Sequence, residues 1–214
     1  MIASLILAAA VAAAPNTAQE DHVPQLSELK PIDPRVESVQ HVAAINVGGA
    51  IPKADFERIV PFVAKRLIFN IWPGSLDKSL LPDLLKDEAV LRKTLGAKAV
   101  VAVFLEDSDE PYPYLAVPGQ WCRVNVRHLK VDKPNAQTLC DRYAKAFLRG
   151  LAYAAGAGAA LDIRGVTSVN VHNVRDLDNT FITITPETYM PMHENLRTMG
   201  GMGVLIAPGS EEAE

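Results

Sequence analysis

Between His41 and Asp107, apolar runs of strand length alternate with stretches of helical period, as expected of a sheet with helices packed on it. HVAAINV (41–47) reads as a buried strand, Lys53 to Arg66 as an amphipathic helix, and LIFNIW (67–72) as a second strand. Asp77 to Leu95 carries a helical pattern interrupted by Pro82. AKAVVAVFLED (97–107) is almost continuously apolar, so it belongs in the middle of a sheet with both faces covered. PYLAVP (113–118) and QWCRVNVRHL (120–129) add two strands. In the second, Trp121, Arg123, Asn125 and Arg127 alternate with Cys122, Val124, Val126 and His128, which suits a strand at a sheet edge.

A long helix follows, with Asp132 or Asn135 placed to cap its start. Leu139, Tyr143, Phe147, Gly150, Leu151 and Ala154 recur at spacings of three and four and form its buried stripe. Opposite them, Arg142, Lys145 and Arg149 put three cations on one face. Met190, Met192, Met199 and Met202 read as packing around a C-terminal helix. The expected architecture is α/β (α+β), a mixed sheet of about five strands with helices packed on it, in a single domain over 39–206.

The flanks differ in character. MIASLILAAAVAAAP has the length of a secretory h-region, with small residues at Val11, Ala12 and Ala13 ahead of a cleavage point near Ala14. A signal peptide over 1–14 implies an exported protein, periplasmic or extracellular, with no membrane span once it is cleaved; an uncleaved anchor is the alternative. Residues 15–38 are rich in proline and charge and read as an extended linker or arm, and 207–214 as an acidic tail. A net charge of −4 gives no basic footprint for nucleic acid. Export would allow Cys122 and Cys140 to form a disulfide pinning the long helix to the sheet; two buried free thiols are the alternative.

The segment KAFLRGLAYAAGAGA (145–159) has the layout of a zinc-peptidase active-site helix without its chemistry. A zincin site needs two imidazoles one helical turn apart, a glutamate beside the first as general base and, in metzincins, a turn glycine followed by a third histidine. Here those places hold Arg149, Tyr153, Gly150, Gly156 and Ala159. Arginine has no lone pair to offer, glycine and alanine have no functional group, and a lone tyrosine does not hold a metal.

On these residues the chain resembles the archaemetzincin-like zinc peptidases over roughly His41 to Gly200, as a degenerate member lacking the HExxHxxGxxH ligands. HVAAINVGGAIPKADFERIVPFVAKRL is similar to that family's opening strand, turn and first helix, and Trp121 with VNV (124–126), His128 and Leu129 to the strand and loop before its active-site helix. HNVRDLD (172–178) resembles the segment after the Met-turn, with Val169 at the methionine's place. The resemblance implies a metzincin-like sheet and an active-site-like helix, but neither zinc nor any other cofactor, and no cysteines for a second zinc.

Two readings of the basic stripe stay open. Arg142, Lys145, Arg149 and Tyr153 form a candidate cleft for an anionic peptide end or small ligand, gripped through paired hydrogen bonds. Alternatively, Arg149 takes the place of the metal's charge and pairs internally with Asp176 or Asp178. The expected function is a non-catalytic pseudo-metallopeptidase that binds a ligand or serves structurally in the cell envelope. The alternative is a hydrolase with a non-standard site around His128, His172 and the acidic loop of Glu106, Asp107, Asp109 and Glu110.

Overall fold

A computed structural model describes residues 41–67, 70–95, 99–161 and 164–200. The segments read from sequence as signal peptide, arm and acidic tail, together with Met202, lie outside the described residues. Strands β1 (His41–Val47), β2 (Ile71–Leu76), β3 (Ala99–Glu106), β4 (Tyr114–Val117) and β5 (Trp121–Asn125) form one sheet in the order β2-β1-β3-β5-β4. All pairings are parallel except that of β4 with β5, which makes β4 an antiparallel edge.

The position of β3 follows from its sequence. All eight of its residues are buried, and from Val101 to Leu105 successive side chains enter opposite layers. Val101, Val103 and Leu105 join the larger core with α1 (Lys53–Leu67), α4 (Ala136–Ala154) and α6 (Pro186–Gly200). Ala102 and Phe104 join the smaller core beneath α2 (Leu81–Lys86) and α3 (Glu88–Leu95). Fully buried residues such as Phe104, Phe147 and Leu151 each contribute about 1.5–3 kcal/mol by leaving water. The mixed five-stranded sheet with packed helices is thus the architecture the sequence implies.

Local expectations need correction in three places. The second strand runs over Ile71–Leu76 rather than 67–72, and so contains Pro73 and Gly74. Only β1 pairs with it, so an edge strand loses nothing to a proline that cannot donate outward, and Gly74 leaves room for Ile45 Cδ1 at 2.8 Å from where a Cβ would stand. The alternating segment 120–129 is not at the edge: β5 is flanked by β3 and β4 and ends at Asn125, whose side chain accepts from Arg127 N and opens a 3-10 helix over Val126–Lys130. Its polar face is satisfied internally, with Arg123 Nε donating to buried Glu106 at 2.6 Å. In the third place, Pro82 begins a helix instead of breaking one. It stands in the first turn of α2, where no amide donor is needed, after a 3-10 helix capped by Asp77.

Candidate functional site

Helix α4 begins where Asn135 accepts from Thr138 N at 2.8 Å. Asp132, the other cap candidate, lies in the preceding loop with φ 67°. The helix stops after Ala154 through a Schellman motif: Ala157 N donates to Ala152 O and Gly156 N to Tyr153 O, while Gly156 takes φ 73°. That left-handed turn is why a glycine stands there.

The charged face of α4 is not solvated. Arg142, Lys145 and Arg149 are 5, 7 and 5% exposed, covered by loops 126–131 and 164–178. Arg142 grips Asp178 with two bonds, Nε to Oδ1 at 2.8 Å and Nη2 to Oδ2 at 2.6 Å, and its Nη1 donates to Leu129 O and Val131 O. Lys145 Nζ donates to Leu177 O and Asp178 O, each at 2.9 Å, and its burial pushes the ammonium pKa down.

Arg149 uses a different set of partners. Its Nη1 donates to Val166 O at 2.7 Å and Ser168 O at 3.0 Å, its Nη2 to Val171 O at 3.3 Å, and its buried Nε has no partner among the described residues. Pairing with Asp176 or Asp178 is therefore corrected. Asp178 belongs to Arg142, and Asp176 closes the capping box with Asn173 at the start of α5 (Val174–Asp178). The guanidinium carbon instead lies 5.4 Å from the Tyr153 ring and 5.7 Å from that of Tyr114, two rings that meet edge-on at 5.5 Å. Burial raises both phenol pKa values, against the pull of the Arg149 charge.

Gly150, which the sequence resemblance puts at the place of a general base, faces the sheet. A Cβ there would come 2.5 Å from Val124 Cγ2 and 3.2 Å from Val103 Cγ1. Ala159 is exposed, and Val169 is 40% exposed with its amide donating to Ala160 O. The places that the sequence resemblance assigns to three ligands and a base thus present a guanidinium bonded to three carbonyls, a phenol, a methyl group and no side chain. Together they do not fit a zinc ion.

The other candidates do not converge. His128 Nε2 lies 3.2 Å from Glu110 O, whereas His172 is exposed and its amide donates to Asp176. Among the described residues no hydrogen bond joins the two histidines. Asp107 binds Arg127 and Lys130, and Asp109 pairs with Arg127. Burial raises the Asp107 pKa, but these two cations together outweigh it and hold the carboxyl below the usual range. Among the described residues no three His, Cys, Asp or Glu side chains are grouped to hold a metal. A groove of about 150 Å³ lies elsewhere, between Arg66, Leu67, Leu148, Ile184 and Tyr189, and none of the four candidate cleft residues lines it.

The disulfide between Cys122 and Cys140 is also corrected: both thiols are free and buried. Cys122 Sγ sits under Gly150, ten residues along α4 from Cys140, which is about 15 Å of helix rise against the roughly 7 Å that a bridge can span between Cα atoms. Burial pushes the Cys122 thiol up to about 12. At pH 8 the native protein is accordingly expected to leave Cys122 unalkylated by iodoacetamide over hours, while the urea-unfolded chain takes up label at both cysteines. Rapid native labelling of Cys122, read by peptide mass, would contradict its burial.

The structure has counterparts among known proteins. It matches the crystal structure of archaemetzincin from Methanopyrus kandleri with a TM-score of 0.57 and 19% identity, covering 75% of this chain and 97% of that one. The fold is archaemetzincin-like. A zinc-dependent peptidase from Methanocorpusculum labreanum matches with a TM-score of 0.54 and 14% identity, over 70% of this chain and 99% of that one. No family model matches the sequence, and comparison with curated proteins gives no match. At these identities the likeness is one of fold.

Tyr114 and Asp178 are the members of the site that sequence reasoning missed or misassigned. Tyr114 sits on the edge strand beside Tyr153, and only the pairing of β4 with β5 brings it there. The carbonyls of Val166, Ser168 and Val171 carry no signal in side-chain chemistry at all.

Proposed function

We propose that this protein is an exported, non-catalytic pseudo-metallopeptidase, a zinc-peptidase scaffold that serves a structural or binding role in the cell envelope or periplasm. One observation carries the reading. At the first imidazole's place stands a buried guanidinium already bonded to three backbone carbonyls, and at the general base's place a glycine lies against β5. Neither position can polarise a carbonyl or take a proton from water. Export rests on the apolar leader over 1–14, and a structural role is favoured over an anion-binding one because the donors of Arg142 and Lys145 are taken up internally.

The test uses the full-length protein purified without chelator. Elemental analysis is expected to find zinc well below one equivalent, and a mixed peptide library is expected to remain uncut after prolonged incubation. Stoichiometric zinc together with cleavage that a chelator stops would overturn the proposal.

A further inference from the structure

We infer that Arg149 performs the structural task of a bound metal, tying the chain that follows the long helix back onto that helix, and that with Arg142 and Lys145 it forms a metal-free clasp. The inference rests on the reading that the site holds no zinc, and adds a role for the residues now in it.

The observations come from both sides of the contact. Between Gly156 and Asn173 the described chain contains no helix or strand, only an isolated bridge from Ala160 to Ser168 and another from Gly165 to Phe181. Yet Val166, Thr167 and Ser168 are completely buried. A buried irregular segment has backbone carbonyls that neither water nor a ladder can satisfy, and such segments are found only where something else accepts the burden. Here three carbonyls from residues 166, 168 and 171 converge on one guanidinium within 3.3 Å. Oxygens gathered around a single positive centre resemble the way a hard cation organises a loop, with the fork of Arg149 supplying the centre.

The pattern repeats along α4. Lys145 collects the carbonyls of Leu177 and Asp178, and Arg142 those of Leu129 and Val131 as well as the Asp178 carboxylate. Three cations on one helix face thus hold the segments on either side of it. No carboxylate pairs with Arg149 among the described residues, so carbonyl dipoles and the faces of Tyr114 and Tyr153 are what balance its charge there. A metal site must keep its ligands deprotonated and loses its ion to acid or chelator, whereas a guanidinium stays charged throughout the accessible pH range.

Hydrogen exchange read by mass spectrometry on the full-length protein tests the clasp. In Arg149→Met, amides of 164–171 are expected to exchange about a hundredfold faster than in the natural protein while β1 and β3 keep their protection. Unchanged exchange in 164–171 would overturn the proposal. Should Arg149→Met not fold, Arg149→Lys keeps the charge but replaces the planar fork with donors on a single nitrogen. Faster exchange confined to the loop supports the clasp, and equal change in loop and sheet rejects it. In parallel, excess EDTA is expected to leave the Tm of the natural protein unchanged. A chelator-dependent fall restored by zinc would reject both the clasp and the pseudoenzyme reading, whereas a loop indifferent to Arg149 in a zinc-free protein would reject the clasp alone.

Discussion

Gly150→Glu, which would place a carboxylate where the sequence resemblance puts a general base, is expected to abolish folding. The Cβ alone would stand 2.5 Å from Val124 Cγ2 and 3.2 Å from Val103 Cγ1, both in the buried sheet. Overpacking of that kind costs about 1–3 kcal/mol, more than the ~1 kcal/mol a helix interior gains on replacing glycine with alanine. The carboxylate would add an unpaired charge at a position surrounded by Val103, Cys122 and Val124, so a total above about 5 kcal/mol is expected, comparable to the whole stability of a typical domain. Urea titration followed by circular dichroism checks this, with Gly150→Ala as the graded case at up to about 2 kcal/mol net. A Gly150→Glu protein with an unshifted midpoint would mean that helix and sheet are not in the contact described.

The second large effect concerns Arg142. Replacing it with methionine keeps much of its volume but leaves the Leu129 and Val131 carbonyls without their donor and the Asp178 carboxylate without its partner. Breaking a buried ion pair on one side costs about 3–5 kcal/mol, and because the Asp178 side chain is 32% exposed the expected loss lies at the lower end. Asp178→Asn should cost less, about 1–2 kcal/mol, since an amide oxygen still accepts one of the two guanidinium bonds. A double-mutant cycle isolates the pair, and additivity of the two changes would show that the bidentate contact contributes nothing of its own.

How much of this could be read from residues alone depends on which atoms do the work. The seven apolar residues of β3 ahead of Glu106 announce a central parallel strand, and Asn135, the stripe from Tyr143 to Ala154 and the Gly156 turn delimit α4 at both ends. In each case a side chain, or its absence, decides the conformation. The fate of the basic face was hidden for the opposite reason. An amphipathic pattern assigns charges to solvent, yet here the acceptors are mostly main-chain carbonyls of loops distant in sequence, to which every residue type contributes alike. The second strand was misplaced because Pro73-Gly74 reads as a turn, and only its position at the sheet edge makes that pair tolerable. The two cysteines invited pairing through their compartment, not their separation along the helix.

The strand order has a consequence for how such a chain assembles. In the sheet as described, β4 and β5 are neighbours in sequence and meet across the tight turn at Gly119, so that pairing can form early and cheaply. Every parallel pairing must wait for an intervening crossover to compact, and β1 reaches β3 only after α1, β2, α2 and α3 have been accommodated. Nucleation therefore depends on contacts far apart in sequence, and the apolar β3 run is the segment most exposed to misassociation until both its flanks are occupied.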